Sequence, residues 1–593
     1  MKKFKLVDKF RGFSNKQDIT NIDPGYLIPG SQNVLINNGE KVFARAGYSL
    51  YGAANPAITP IISSFDWITS TGSERNVRSY DDELEVYYSG AWRRIQDGYT
   101  SVDFSFTTIW DATELLDLLL FVNGDSNMRM WSGAITTFAS ATVNTITTEG
   151  TDSFAVLRFL KSGTRSVVIN GTTYAYTGGE GTTTLTGVTP DPTLGAHAVG
   201  SVITQSTRVT ANTPASGFNN TLLGTLKNQV YVGDTERRDV FVSKNTSYID
   251  YTYTVGAGIV RVPGEGALLT LDSTPVAFAP QEQDMYIATD DGWFRTSFTL
   301  ANDLLTEDLK VERLKTLPNK GALGKNSVCK IQNDTAFFTK DKTVDFIGRI
   351  ENIDTTQSKP LSDPIKLELL DYDLTIPPHL YFFQSKLYCS FPSEGKTLIY
   401  DFEKAYWNPP QILPIRRGAI IDSELYGHSS AVPETYKLFD QTTYSDNGNP
   451  IDARAAFAYR NYGQRAWQKN FDEWYTEGYI NSNTTLTCTL KYDFGGFTTI
   501  LDHEISGGDS DIIFATASDG SIGKSSFGKY PIGSITDSVS NLSKFRIIKE
   551  IKDVDFYEIS YIYSTNEVDQ QWELLAFGGN VVLSPGDNQQ IKQ

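Results

Sequence analysis

Four histidines, three cysteines and seventy carboxylates are the groups of this 593-residue chain best suited to acid–base, nucleophilic or metal chemistry. His197, His379, His428 and His503 are scattered, with no His-x-x-x-His pair and no Ser/His/Asp grouping. His428, in YGHSS, reads as a surface or packed histidine, with a place in a loop mouth as the lesser alternative. Cys329, Cys389 and Cys488 are odd in number and too far apart for a disulfide framework or a zinc site. They are expected to be buried, reduced thiols. The chain has no Gly-x-Ser-x-Gly elbow, no phosphate-binding loop and no Ser-x-Asp-x-Gly-x-Thr-Trp box. YDDELE (Tyr80 to Glu85) and DVDF (Asp553 to Phe556) are candidates for a glycosidase pair, which requires two carboxyls roughly 5–10 Å apart. Solvated turns are the preferred reading of both stretches. YSDNGNPID resembles a calcium loop, but its spacing fails, and Asp446-Asn447-Gly448 reads as a hairpin turn. Tyr87-Tyr88 and Tyr406-Trp407 read as strand core rather than carbohydrate platforms. The expectation is a protein without catalytic residues, metal or cofactor.

Composition points to the scaffold instead. Aromatics make up 12% of the chain, Gly is abundant, and no stretch has the length and period of a long helix, a profile of many short strands. A net charge of −18 argues against tight, sequence-independent binding of nucleic-acid phosphates. No run of 18 apolar residues suggests a membrane span. The opening MKKFKLVDKF is basic but lacks an apolar core and a cleavage site, so a signal peptide is not expected and synthesis in a reducing cytoplasm is.

A repeat organises the middle of the chain. YYSGAW (Tyr87 to Trp92) and MWSGAI (Met130 to Ile135) place Ser-Gly-Ala 43 residues apart, each after a strand-like segment. A further strand precedes each, ending at Tyr80 and at Val122. Strand–turn–strand units continue around Tyr231, Tyr286, Phe337, Tyr388 and Tyr426. The steps between these seven markers are 42, 109, 55, 51, 51 and 38 residues. All but one approach the ~40–50 residues of a four-stranded propeller blade. The pattern therefore predicts an all-β chain built on a β-propeller of six to eight blades, with seven the best fit.

The long step fits one blade plus an insertion of about 60 residues. Residues 139–208 are Thr- and Gly-rich, and Asn170-Gly171 joins two alternating runs as a hairpin. A small β domain projecting from the propeller rim is expected there, with a disordered linker as the competing reading. Blades then occupy 51–138 and 209–440. From 441 to 593 the blade period is lost, and FRIIKEI, FYEISYIYS and WELLAFGGNVV read as strands of a β-sandwich. Short helices are expected at Ala112 to Leu116 and at Pro364 to Leu370.

Residues 1–50 form a turn-rich strap with one hairpin. Asn38-Gly39 signals a two-residue turn, which would pair Leu35 with Val42 and Val34 with Phe43. Apolar residues on both faces imply burial on both sides. A propeller must join its ends without leaving an open sheet edge, so the strap is expected to close the ring by supplying strands to the last blade or lacing along it.

The strap also carries a resemblance. A Gly-Phe-Ser opening, a Pro-Gly, and GSQNVLINNGEKVFARAGY are similar to the N-terminal signature of bacteriophage tail nozzle proteins of the tail tubular B type, with matching positions Gly12, Asn33, Asn38, Gly39, Arg45 and Gly47. LSDPIK (Leu361 to Lys366) and LIYDFEKAYW (Leu398 to Trp407) resemble blade segments of related phage structural proteins. The resemblance implies a virion protein made in the host cytoplasm. It implies a homo-hexameric ring at the end of a short tail, contacting an adaptor ring, tail fibres and the host envelope, with viral DNA passing through the lumen. An acidic lumen suits passage, because it does not hold phosphates by counterion release. The alternative is a carbohydrate-binding or carbohydrate-active propeller acting as a virion adhesin. Trp467, Phe471, Trp474 and Tyr475 fall at i, i+4, i+7 and i+8, the spacing of one face of a short helix or of an interface anchor, against ordinary sandwich core.

Overall fold

The computed structural model describes residues 5–15, 22–37, 40–53, 57, 59–125, 127–149, 158–163, 165–180, 182–210, 214, 217–252, 265–282, 284–300, 307–314, 320–332, 334–348, 360–462, 469–492, 498–507, 542–550 and 555–583. The chain is a seven-bladed β-propeller with an inserted β domain and a C-terminal β-sandwich.

Each blade is an antiparallel meander, and its first strand lies innermost. Blade 1 comprises Ser63–Ile68, Glu74–Tyr80, Glu83–Tyr88 and Ala91–Gln96. Blade 2 takes Ser105–Asp111, Leu116–Val122 and Arg129–Trp131, then Arg208–Val209 after the insertion. Blades 3 and 4 run over Leu222–Thr270 and Pro275–Arg313. Blade 5 shows three strands among the described residues, from Val328 to Phe346. Blade 6 covers His379–Ile412, and blade 7 covers Ile415–Asp440. The seven sequence markers all fall in the second strand of a blade. That strand is sandwiched between two neighbouring blades, so both its faces are apolar. Leu118, Leu120 and Val122 pack towards blade 3, whereas Leu119 and Phe121 pack towards blade 1. The uninterrupted run LLLFV is therefore the signature of a doubly covered strand.

Blade 7 obtains its fourth strand from the N-terminus. Gly47–Leu50 pairs with Thr435–Asp440 (Leu50 opposite Tyr436, Ser49 opposite Lys437). This closes the ring and removes the edge that a seventh three-stranded blade would expose. The strap thus supplies a strand to the last blade, but its hairpin does something else. Val34–Ile36 and Val42–Ala44 extend the larger sheet of the C-terminal sandwich, where Val42 lies opposite Leu574. The hairpin register is one residue from the sequence expectation: Leu35 faces Phe43, and Val34 faces Ala44. Asn37 and Lys41 still bond to each other, so the loop has three residues rather than two, and Glu40 takes the positive φ (57°). Asn38 and Gly39 lie outside the described residues.

The insertion starts and ends a few residues earlier than expected. Its sheet begins at Ile135 and ends at Gln205, while Arg208–Val209 belongs to blade 2. It occupies the turn between the third and fourth strands of that blade, where Ser132-Gly133-Ala134 stands in place of the tight Ser89-Gly90 turn of blade 1. Its six strands enclose Phe138, Ile146, Val167, Ile169, Tyr174, Tyr176, Leu185 and Ile203. Asn170 and Gly171 both have positive φ and form the two-residue turn their sequence signals. The domain is bolted to the ring. Arg158 Nε donates to Ser132 O (2.6 Å), its Nη2 pairs with Asp117 (2.9 Å), and its guanidinium lies 4.9 Å over the Trp67 ring.

The sandwich packs a sheet containing Lys469–Asn481, Leu542–Glu550 and Trp572–Leu583 against one of Ala453–Ala456, Thr485–Tyr492, Thr498–Ser506 and Ile559–Thr565. It is not confined to 441–593, since Lys5–Val7 and the strap hairpin join the larger sheet. Its core is continuous with blades 5 and 6 through Phe10, Phe338, Phe391, Trp407, Phe457 and Phe577. Residues 112–115 are turns rather than helix, because Leu116 opens a strand, whereas Lys366–Leu370 is helical.

Candidate functional site

Three of the described hook residues, Asn33, Arg45 and Gly47, meet at one joint between propeller and sandwich. The chain leaves the sandwich sheet at Ala44 and enters blade 7 at Gly47, so two residues must turn between sheets. Arg45, 1% exposed, fills that corner. Its Nε donates to Asn33 Oδ1 (3.1 Å), and Nη1 donates to Ala46 O (3.1 Å) and Asp446 Oδ1 (2.7 Å). Nη2 donates to Ile412 O (3.1 Å) and Asp446 Oδ2 (2.5 Å). Asn33 sits at φ 53°, a conformation asparagine tolerates better than most residues. Its Oδ1 also accepts from Ile412 N (2.7 Å), and its Nδ2 donates to Asp452 O (2.9 Å). Gly47 is required by contact: a Cβ there would lie 2.0 Å from Ser445 O. Gly12, at φ 104°, passes against Tyr406 on the outer strand of blade 6. The Asp446 turn is a tight one, with Asn447 and Gly448 at positive φ, and its carboxylate serves Arg45.

The aromatic group does not form a helix face. Residues 469–481 are a strand, so i, i+4, i+7 and i+8 do not share a side. Trp474 is fully buried, in a T-shaped contact with His503 at 5.7 Å, and is sandwich core. Tyr475 is also buried, and its hydroxyl donates to Glu477. Trp467 and the side chain of Phe471 lie outside the described residues.

The scattered titratable groups serve packing. His197 meets Tyr174 OH at 2.6 Å within the insertion. His428 contacts Thr435 Oγ1 at 2.9 Å, and Nδ1 of His379 accepts from Gly418 N at 3.3 Å. Burial, reinforced by nearby Arg417, holds both of these imidazoles well below their ordinary pKa. Burial pushes the Cys329 thiol up to about 12 and raises those of Cys389 and Cys488, the opposite of what a nucleophile needs. Glu85 of YDDELE is paired with buried Arg78 at 2.8 Å. Among the described residues no group of His, Cys, Asp and Glu is arranged to hold a metal, and no helix is long and apolar enough to cross a membrane.

One charged cluster was not singled out by sequence reasoning. Lys325 precedes the inner strand of blade 5, yet its Nζ reaches Asp103, before the inner strand of blade 2, at 2.8 Å. In a seven-membered ring those blades face each other, so the ion pair crosses one mouth of the central channel. Arg416 and Arg417, on the inner strand of blade 7, lie in electrostatic range of the same carboxylate. The dibasic PIRRG was the available signal, but nothing in sequence places Lys325 and Asp103 beside it.

No family model matches the chain, and no curated protein matches it. Similar solved structures include the computationally designed Ika8 protein (12% identity, 66% of this chain and 99% of that one, TM-score 0.31). BBS1N in complex with ARL6DN matches at 11% identity over 67% and 98%, TM-score 0.34. BamB from Moraxella catarrhalis matches at 11% over 65% and 98%, TM-score 0.28. At these values the likenesses carry no argument about function, and the propeller rests on its own seven sheets.

Proposed function

We propose that this chain is a structural virion protein, a subunit of a ring-forming bacteriophage tail nozzle that conducts and gates DNA during ejection. The observation that carries the reading is the hook. Of the strap residues that resemble the nozzle signature, Asn33, Arg45 and Gly47 are engaged in the joint between propeller and sandwich, and Gly12 packs against blade 6. A motif kept for a joint is expected in a protein whose parts must hold a fixed relation under assembly. Since an ion pair spans the propeller's own channel, the reading takes the DNA through a lumen between subunits rather than through one subunit. The net charge of −18 suits a lumen that phosphates slide past. In this reading the protein has no enzymatic activity, resides in the virion tail as a homo-hexamer, and meets an adaptor ring, tail fibres and the host envelope. Negative-stain imaging of the purified protein and of virions tests it. Six-fold rings at the tail tip are expected, and particles lacking the protein should package DNA and leak it. Monomers or trimers that bind glycans would replace the nozzle with the adhesin.

A further inference from the structure

We infer that the channel mouth bounded by blades 2, 5 and 7 is a binding site for a small oxyanion of the inorganic phosphate type. This inference does not rest on the nozzle reading. It begins with an imbalance of charge. Three cations, Lys325, Arg416 and Arg417, surround Asp103, whose carboxylate is already engaged by Lys325 at 2.8 Å and by Ser63 Oγ at 3.4 Å. The other nearby carboxylate, Asp66, accepts from Ile420 N (2.8 Å) and Asn76 Nδ2 (3.2 Å). His379 and His428, which complete the surroundings of Arg417, are held neutral by burial. Neither arginine forms an ion pair among the described residues.

Arg417 states the requirement most sharply. Its Nε and Nη1 are buried with no hydrogen-bond partner. Asp103 and Asp66 lie in electrostatic range of this guanidinium, but both are hydrogen-bonded to other groups, and its buried Nε and Nη1 donors stay unmet at a cost in free energy. An oxyanion removes that cost, since it brings charge and several acceptor oxygens to a planar donor fork. The backbone is shaped for this. A β-bulge interrupts the pairing between Ile415 and Arg417, so Arg416 is the extra residue. Without it, consecutive side chains would point to opposite faces; a bulge re-aims one of them. The Lys325–Asp103 bridge spans the same mouth, so the occupant inferred is a compact ion rather than a polymer.

The test is a titration of the full-length protein with inorganic phosphate at constant ionic strength, followed by calorimetry and thermal melting. Saturable binding at about 1 mM or tighter, with a rising melting temperature, is expected. Arg417→Gln should weaken binding by about tenfold or more, yet leave the melting temperature without phosphate unchanged or higher, because the smaller neutral amide removes buried donors that lack partners. Arg416→Gln should weaken binding without altering the fold and serves if Arg417→Gln does not fold. Lys340→Gln, which removes a surface pair with Asp290, is the control and should bind as wild type. A short single-stranded oligonucleotide at equal phosphate concentration should not compete. Absence of saturable binding, equal binding by wild type and both arginine variants, or tighter binding of the oligonucleotide would each overturn the inference.

Discussion

Replacing Arg45 by methionine keeps much of the side chain's volume and removes its fork. The structure lets the cost be followed group by group. Asp446, 14% exposed at its side chain, loses both bonds to its ion-pair partner Arg45. Ile412 O and Ala46 O each lose a donor, while Asn33 Oδ1 keeps the Ile412 N–H. Breaking a buried pair by removing one partner costs about 3–5 kcal/mol. The partial exposure of Asp446 lets water return to it, so the lower end, about 3 kcal/mol, is expected. The loss should appear first where the ring is zipped. Local opening of Gly47–Leu50 against Thr435–Asp440 then becomes about a hundredfold more frequent, because each 1.4 kcal/mol is tenfold. Native-state hydrogen exchange reads this directly on the amides of both strands. Arg45→Lys should recover only part of the protection, since an ammonium cannot grip two carboxylate oxygens and two carbonyls in one plane. Exchange at the closing strand that changes less than about tenfold would refute the joint. So would an equal rise in blades 3 and 4, which would mean general destabilisation.

Three further outcomes follow from the same geometry. Deleting residues 135–205 should leave a folded ring by circular dichroism but with a lower melting temperature, since Trp67 loses the Arg158 guanidinium and Trp131 loses its acceptor, Gln205 O; loss of all β signal would mean that the insertion is part of the ring. Burial pushes the Glu477 carboxyl up, but hydrogen bonds from Lys544 and Tyr475 outweigh it and bring its pKa down to about 2. Its folded pKa lies below the unfolded value near 4.5, so its contribution is complete above pH 4.5 and is lost as pH falls towards 2. Glu477→Gln should flatten that acid limb in urea melts taken across the window. Trp474→Ala should abolish soluble protein, as expected for about 3–5 kcal/mol lost from a filled core, whereas soluble but assembly-defective subunits would restore the interface reading.

The blades were legible because a strand covered on both sides must be apolar on both sides. Seven such strands, as in LDLLLFV or KLYCSF, spaced 38–55 residues apart except across the insertion, point to a ring. The insertion was legible as a broken period, and Asn170-Gly171 as a turn whose chemistry is local. What failed depended on partners distant in sequence. Asn38-Gly39 carries the same turn signal as Asn170-Gly171, yet the hairpin pairs one residue out of the signalled register, with the Val34 face buried against the sandwich. The spacing of Trp467, Phe471, Trp474 and Tyr475 fits a helix face, but residues 469–481 pair as a strand with 542–550 and 572–583. The channel-mouth cluster draws on three blades, and no local pattern announces that Lys325 and Asp103 meet.

The choice of polar side chains at the joint has a physical reason. A chain that passes from one sheet to another within two residues presents backbone groups that neither sheet can pair. Apolar packing would fill the space but leave those groups unmet, at a cost comparable to the bonds themselves. Arg45 and Asn33 act as substitutes for a missing strand: between them they serve Ala46 O, Ile412 O, Ile412 N and Asp452 O. Because these partners come from the strap, blade 6 and the sandwich boundary, the corner fixes three elements at once. The strand that closes the ring is therefore tethered directly to the sandwich sheet, and displacement of the sandwich loads the one pairing on which ring closure depends. Under the nozzle reading proposed above, that coupling makes the hook the place where a mechanical signal would enter the propeller.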